Sequence, residues 1–188
     1  MKKTACLFPG IGYTCDKPLL YYSWKLLSGL GWEVIPVPYT GFPSGVKGNP
    51  EKMIESARMA LEQTEEILKD ISWGGCSDIL FIGKSIGTAV CAAYALRHSL
   101  QCRQVLFTPV KETFQFAGKN SIVFHGTADP WADTKTIRDC CRQRGIPLYE
   151  TENANHSLET GDVGFDIETV RNTMKIVRAF VLGENPAA

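Results

Sequence analysis

Asp78 to Val90 reads DILFIGKSIGTAV, an apolar strand pattern that passes directly into a helix pattern, with Ser85 held between Gly83 and Gly87. Before the serine stands DILFI; after it runs the alanine-rich IGTAVCAAYALRH, which has high helix propensity. A serine on so sharp a turn has strained backbone angles, and glycines two before and two after it let strand and helix approach closely. The helix start behind it also aims unpaired N–H groups at any negative charge that forms beside the hydroxyl. Ala89, Ala92 and Ala93 are small enough to let that helix pack tightly on a sheet.

The same alternation extends in both directions. Strands are predicted at Thr4–Phe8, Trp32–Val37, Ile79–Ile82, Gln104–Phe107, Ser121–Phe124 and Pro147–Glu150, and helices at Pro18–Gly29, Pro50–Ile71, Ile86–Ser99, Thr134–Arg144 and Gly164–Leu182. Proline at the first helical position and glycine past the end mark Pro18 to Gly29, and Pro50 opens the next helix. In that helix Met53, Ile54, Ala57, Ala60, Leu61, Thr64, Ile67 and Leu68 recur on one face. Near-continuous apolar strands separated by helices imply an α/β fold, a three-layer α/β/α sandwich around about six mostly parallel strands. The Pro/Gly-rich loop YTGFPSGVKGNP, 39–50, fits a surface excursion, so residues 1–188 are expected to form a single domain.

Composition narrows the function classes. The 188 residues are 44% hydrophobic and 21% charged, with twenty basic against twenty acidic side chains. That balance argues against nucleic-acid and anionic-membrane partners. Seven scattered cysteines, with no Cys-x-x-Cys and no His-x-x-x-His, point to reduced thiols and against a zinc site. The opening MKKTACLF stops at Pro9-Gly10, too short for an export signal. A cytoplasmic protein is the expectation.

A second glycine cluster, FPGIGYTCD, follows the first strand, where ligands bind in open parallel sheets. It lacks the third glycine of a dinucleotide fingerprint, which is Cys15 here, and no acidic residue ends the second strand. Gly83–Ser85 reads GKS, but the upstream glycine of a phosphate loop would fall on Asp78. A serine hydroxyl needs a base, and the chain has three histidines. His98 ends the helix after Ser85, and His125 closes a strand and shapes the turn beyond it. His156, in ENANHSLET after the last strand, lies where a loop could reach Ser85 from the carboxyl edge. Asp129, in VFHGTADPWAD, is the candidate to orient that imidazole, with Asp133 as an understudy that also suits an N-cap. Either residue also reads as ordinary turn chemistry.

The order Ser85, Asp129, His156 resembles the α/β-hydrolase family, whose triad runs nucleophile, acid, histidine along the chain. GKSIG matches the nucleophile elbow, HGTADP the acid turn and NANHSLE the histidine loop, so the likeness covers almost the whole sequence. FPGIG looks like the family's oxyanion loop, with Pro9 in place of its histidine. The resemblance implies an oxyanion hole from the backbone N–H groups of Ile11 and Ile86. It further implies a shortened fold without a lid insertion, because only TPVKETFQFAGKN separates two strands where relatives carry one. The look is of small carboxylesterases and dienelactone hydrolases, with serine as the nucleophile.

The expected activity is hydrolysis of a small carboxylic ester or thioester through an acyl-enzyme, with no cofactor and no metal. Tyr13 and Trp131, with Thr14, Asp16 and Phe114, are candidates to surround the substrate, or else core and surface residues. Lys84 is expected to face solvent or, less simply, to attract an acidic substrate. The competing expectation is a catalytically silent binding or scaffold protein on the same fold; a lyase or perhydrolase using the same triad is a third. Oligomeric state is not legible.

Overall fold

A computed structural model describes residues 2–46 and 48–184. Its six strands are β1 (Lys2–Phe8), β2 (Glu33–Pro36), β3 (Cys76–Lys84), β4 (Arg103–Phe107), β5 (Ser121–Gly126) and β6 (Leu148–Thr151). Its five α-helices are α1 (Pro18–Gly29), α2 (Pro50–Leu68), α3 (Ile86–Arg97), α4 (Thr134–Arg144) and α5 (Val163–Leu182). Short 3-10 turns sit at Trp73–Gly75 and Lys111–Gln115. The strands form one sheet in the order β2-β1-β3-β4-β5-β6, and every pairing in it is parallel. The expected fold class therefore holds, and "mostly parallel" becomes wholly parallel.

Period-2 side-chain alternation sends each strand into two cores. Cys6, Phe8, Phe81 and Leu106 face one layer with Ala60 and Leu68 of α2, Val90 of α3, and Ile137 of α4. Ala5, Leu7, Leu80, Ile82 and Val105 face the other, with Leu19 and Leu27 of α1 and Val177 of α5. Burying Phe81 completely contributes about 1.5–3 kcal/mol by transfer alone. Pro36 sits in the edge strand β2, where its missing N–H leaves no ladder bond unmade.

Differences from expectation are local. β3 starts earlier, at Cys76, and runs on to Lys84; α2 ends at Leu68, short of Ile71, and α3 at Arg97. The buried stripe of α2 is Ser56, Ala60, Thr64 and Leu68. Ile54 and Ile67, read from periodicity as part of that face, are exposed. The groove between α1 and α5 is apolar, about 880 Å³, and is walled by Tyr22, Leu26, Ile167, Val170 and Met174.

The topology places a site. The chain leaves β1 for the edge at β2 through α1, then returns to pair β3 on the other side of β1 through α2. The two connections cover opposite faces of the sheet, so a crevice opens at the carboxyl ends of β1 and β3.

Candidate active site

Ser85 stands at that crevice with φ 56° and ψ −125°, a backbone conformation outside the ordinary wells of an L-residue. Its N–H bonds the Phe107 carbonyl at 3.0 Å, and its carbonyl accepts from the Thr88 N–H at 2.9 Å and the Thr88 hydroxyl at 2.6 Å. The flanking glycines are needed for space. A Cβ on Gly83 would meet the Thr88 backbone at 2.7 Å, and one on Gly87 would meet the Phe8 carbonyl oxygen at 2.1 Å. The elbow is thus clamped between α3 and β1.

His156 and Asp129 converge on it. The Asp129 carboxylate Oδ2 lies 2.7 Å from His156 Nδ1, and His156 Nε2 lies 2.8 Å from Ser85 Oγ. A carboxylate only accepts, so Nδ1 carries the proton and Nε2 is the acceptor for the serine hydroxyl. The Trp131 N–H donates to Asp129 Oδ1 at 2.8 Å, and the Trp131 ring stacks on the imidazole at 5.5 Å. Burial pushes the Asp129 carboxyl up, but bonds and charge from His156, the Trp131 amide and His125 outweigh it and hold the pKa below the ordinary value. For His156, burial drives the pKa down and the nearby Lys84 adds to that, against the opposing pull of Asp129. At neutral pH the pair therefore rests as carboxylate and neutral imidazole, the form able to take a proton.

Residues that the motif does not mark hold this arrangement. The Thr108 hydroxyl donates to the His156 carbonyl at 2.9 Å from a residue whose own φ is 42°. The Asn155 side chain accepts the Ser157 N–H at 2.7 Å, turning the histidine loop on itself. A Cβ on Gly126 would meet the Ala154 carbonyl oxygen at 2.3 Å, so the acid turn and the histidine loop touch backbone to backbone. The positive φ at Thr108 has no sequence signature, since threonine rarely adopts it.

Gly10 and Tyr13 form a small bridge, with backbone bonds of 3.0 and 3.3 Å in the two directions. Ile11 lies between them, 37% exposed. This loop lies against the elbow, because a Cβ on Gly10 would come within 3.1 Å of Ser85 Cβ. Ile86 is the first residue of α3, where a backbone N–H has no intrahelical acceptor.

The remaining candidates divide. Trp131 borders a cavity of about 490 Å³ with Val46, Met53, Val110, Ala132 and Ile137, so the 39–50 loop does reach this edge. Tyr13, a candidate for the substrate wall or else for the core, is buried: its hydroxyl accepts the Leu19 N–H at 3.1 Å and faces α1. Phe114 is core. Asp133 caps α4, accepting the Thr136 N–H at 2.8 Å. His125 is buried behind Asp129, 3.9 Å from Oδ2, with Nε2 on the Thr134 hydroxyl at 3.0 Å. His98 is on the surface against Glu65. Lys84 does not face solvent: it is 1% exposed, since the alternation of β3 turns it inward. Among the described residues no cluster of three His, Cys, Asp or Glu is arranged to hold a metal. No helix among them is long and apolar enough to cross a membrane.

No family model matches the chain, and no curated protein matches it in sequence. Solved structures do. A serine hydrolase without lid from Xanthomonas campestris superposes with a TM-score of 0.63 at 14% identity, over 98% of this chain and 83% of that one. An esterase from Pyrococcus furiosus gives 0.68 at 14% identity, over 97% and 83%. Est1E from Butyrivibrio proteoclasticus gives 0.65 at 11% identity, over 92% and 87%. With its all-parallel sheet and its strand-to-helix serine elbow, the chain has the α/β-hydrolase fold in a shortened, six-stranded form.

Proposed function

We propose that this protein is a serine hydrolase of small carboxylic esters or thioesters. The observation that carries the reading is the continuous hydrogen-bonded chain from Ser85 through His156 to Asp129, two contacts of 2.8 and 2.7 Å. The names of two structural neighbours, an esterase and a lidless serine hydrolase, favour the same class.

In this reading Ser85 Oγ attacks the substrate carbonyl carbon while His156 Nε2 takes the hydroxyl proton, and Asp129 stabilises the resulting imidazolium. The carbonyl electron pair moves onto oxygen, where the Ile11 and Ile86 N–H groups receive it. The leaving alcohol or thiol departs with the proton from His156. Water then attacks the acyl-enzyme with His156 again as base and releases the acid. None of these steps calls on a cofactor.

The test is intact mass after treatment with a fluorophosphonate, in which Ser85 Oγ displaces fluoride from phosphorus. One adduct on the wild type, absent from Ser85→Ala and His156→Ala, is the expected result. Folded wild type that takes no label would overturn the reading in favour of a silent binding protein.

A further inference from the structure

We propose that Lys84 is a positioning residue for the oxyanion donors: its buried head, set on the Tyr13 ring, fixes the Gly10–Tyr13 loop against the nucleophile elbow. The proposal rests on the serine-hydrolase reading for its catalytic consequence, though not for its structural one.

Three observations converge. Lys84 immediately precedes the nucleophile and is among the most deeply buried large side chains of the molecule. Long ionisable side chains are rarely found in such places without a task. Its Nζ lies 4.9 Å from the centroid of the Tyr13 ring, within the range of a cation–π contact, which strengthens when desolvated. Tyr13 in turn is tied at both ends: its backbone closes the bridge to Gly10, and its phenol oxygen accepts the Leu19 N–H at the start of α1. Lys84, Tyr13 and α1 thus form a strut under the loop that carries Ile11. A donor displaced by about 1 Å forfeits much of its effect on the transition state.

The charged and titratable groups around Lys84 are Asp129 of the acid turn, His156 and Glu159 of the histidine loop, and Tyr13 itself. Burial drives the ammonium down to about 7, with Asp129 and Glu159 pulling the other way. The strut is therefore charged at pH 6 and neutral at pH 9.

The experiment combines Lys84→Met, which keeps the stem and removes the charge, with Tyr13→Leu, which removes the ring, and with the double variant. Amide hydrogen exchange of residues 10–13 at pH 6 is expected to quicken at least tenfold in each single variant, with the strands unchanged. Wild type at pH 9, corrected for intrinsic exchange, should show the same loosening. On an activated ester, kcat should fall about 10- to 100-fold at pH 6 with KM little changed, the double variant should be no worse than either single, and the gap to wild type should close by pH 9. Exchange that stays slow in Lys84→Met, or losses that multiply in the double variant, would overturn the proposal. If the wild type is neither labelled nor active, the hydrolase reading fails, and the exchange measurement still decides the strut. Lys84→Met should melt no lower than wild type, which separates a misplaced loop from a damaged fold.

Discussion

At the scale of single residues, His156 and Asp129 make the proposed chemistry sensitive to pH in a defined direction. Burial and Lys84 both disfavour the imidazolium, so the base form persists below the ordinary histidine value of about 6.5. The rate of fluorophosphonate labelling plotted against pH should accordingly have its acid midpoint under 6.5. A midpoint above that value would mean that Asp129 dominates the imidazole. Asp129→Asn should lower kcat by about 10³- to 10⁴-fold, because an amide in that place favours the wrong tautomer. The candidate triad was legible from chain order and turn chemistry, since each of its members sits within two residues of a glycine, proline or asparagine that advertises a turn. Tyr13 and Lys84 were not. A lysine at a strand end or an aromatic in the loop beyond one has the same sequence signature whether it faces solvent or core; for Lys84 the face of β3 decides, and for Tyr13 the bridge to Gly10 and the bond from Leu19.

Strands and helices were readable almost end to end, because a parallel sheet covered on both faces leaves long apolar runs cut by glycine and proline. The failures lie where periodicity is ambiguous. In α2, Ile54 and Ile67 looked like core, yet they are exposed and the helix turns Ser56 inward beside the expected Ala60, Thr64 and Leu68; a close approach to α3 favours small side chains over bulky ones. The elbow offers a sharper test of element packing. Gly87→Ala would set a methyl group 2.1 Å from the Phe8 carbonyl oxygen, forcing β1 and α3 apart. Its melting temperature should drop by about 5 °C or more, and its labelling should be lost even below the melt. Asp133→Ala should act otherwise. Removing the α4 cap costs about 1 kcal/mol, read as a shift in the denaturant midpoint, and leaves the labelling rate of the folded protein unchanged, since the Asp133 carboxylate is spent on the Thr136 N–H and hydroxyl at the start of α4.

For the molecule as a whole, the buried lysine is a liability with a calculable sign. Its folded-state pKa is depressed, to about 7, so between there and its unfolded value the unfolded chain binds the extra proton and stability rises with pH. At pH 7 this amounts to a deficit on the order of 4 kcal/mol. Lys84→Met should therefore raise the melting temperature at pH 7 by about 8–16 °C and flatten the gain in stability expected of the wild type between pH 7 and 10. A variant both more stable and less active would be the expected exchange at a functional site. One further consequence follows from the span of the serine–histidine contact. Ser85 leaves β3 and His156 follows β6, 71 positions later, so their meeting requires β4, β5 and β6 to have docked in order. A molecule with an unzipped sheet edge has no activated serine, however helical it remains. Covalent labelling of Ser85 would then count fully assembled chains one by one, a census of the native population that no spectrum of average helix content could provide.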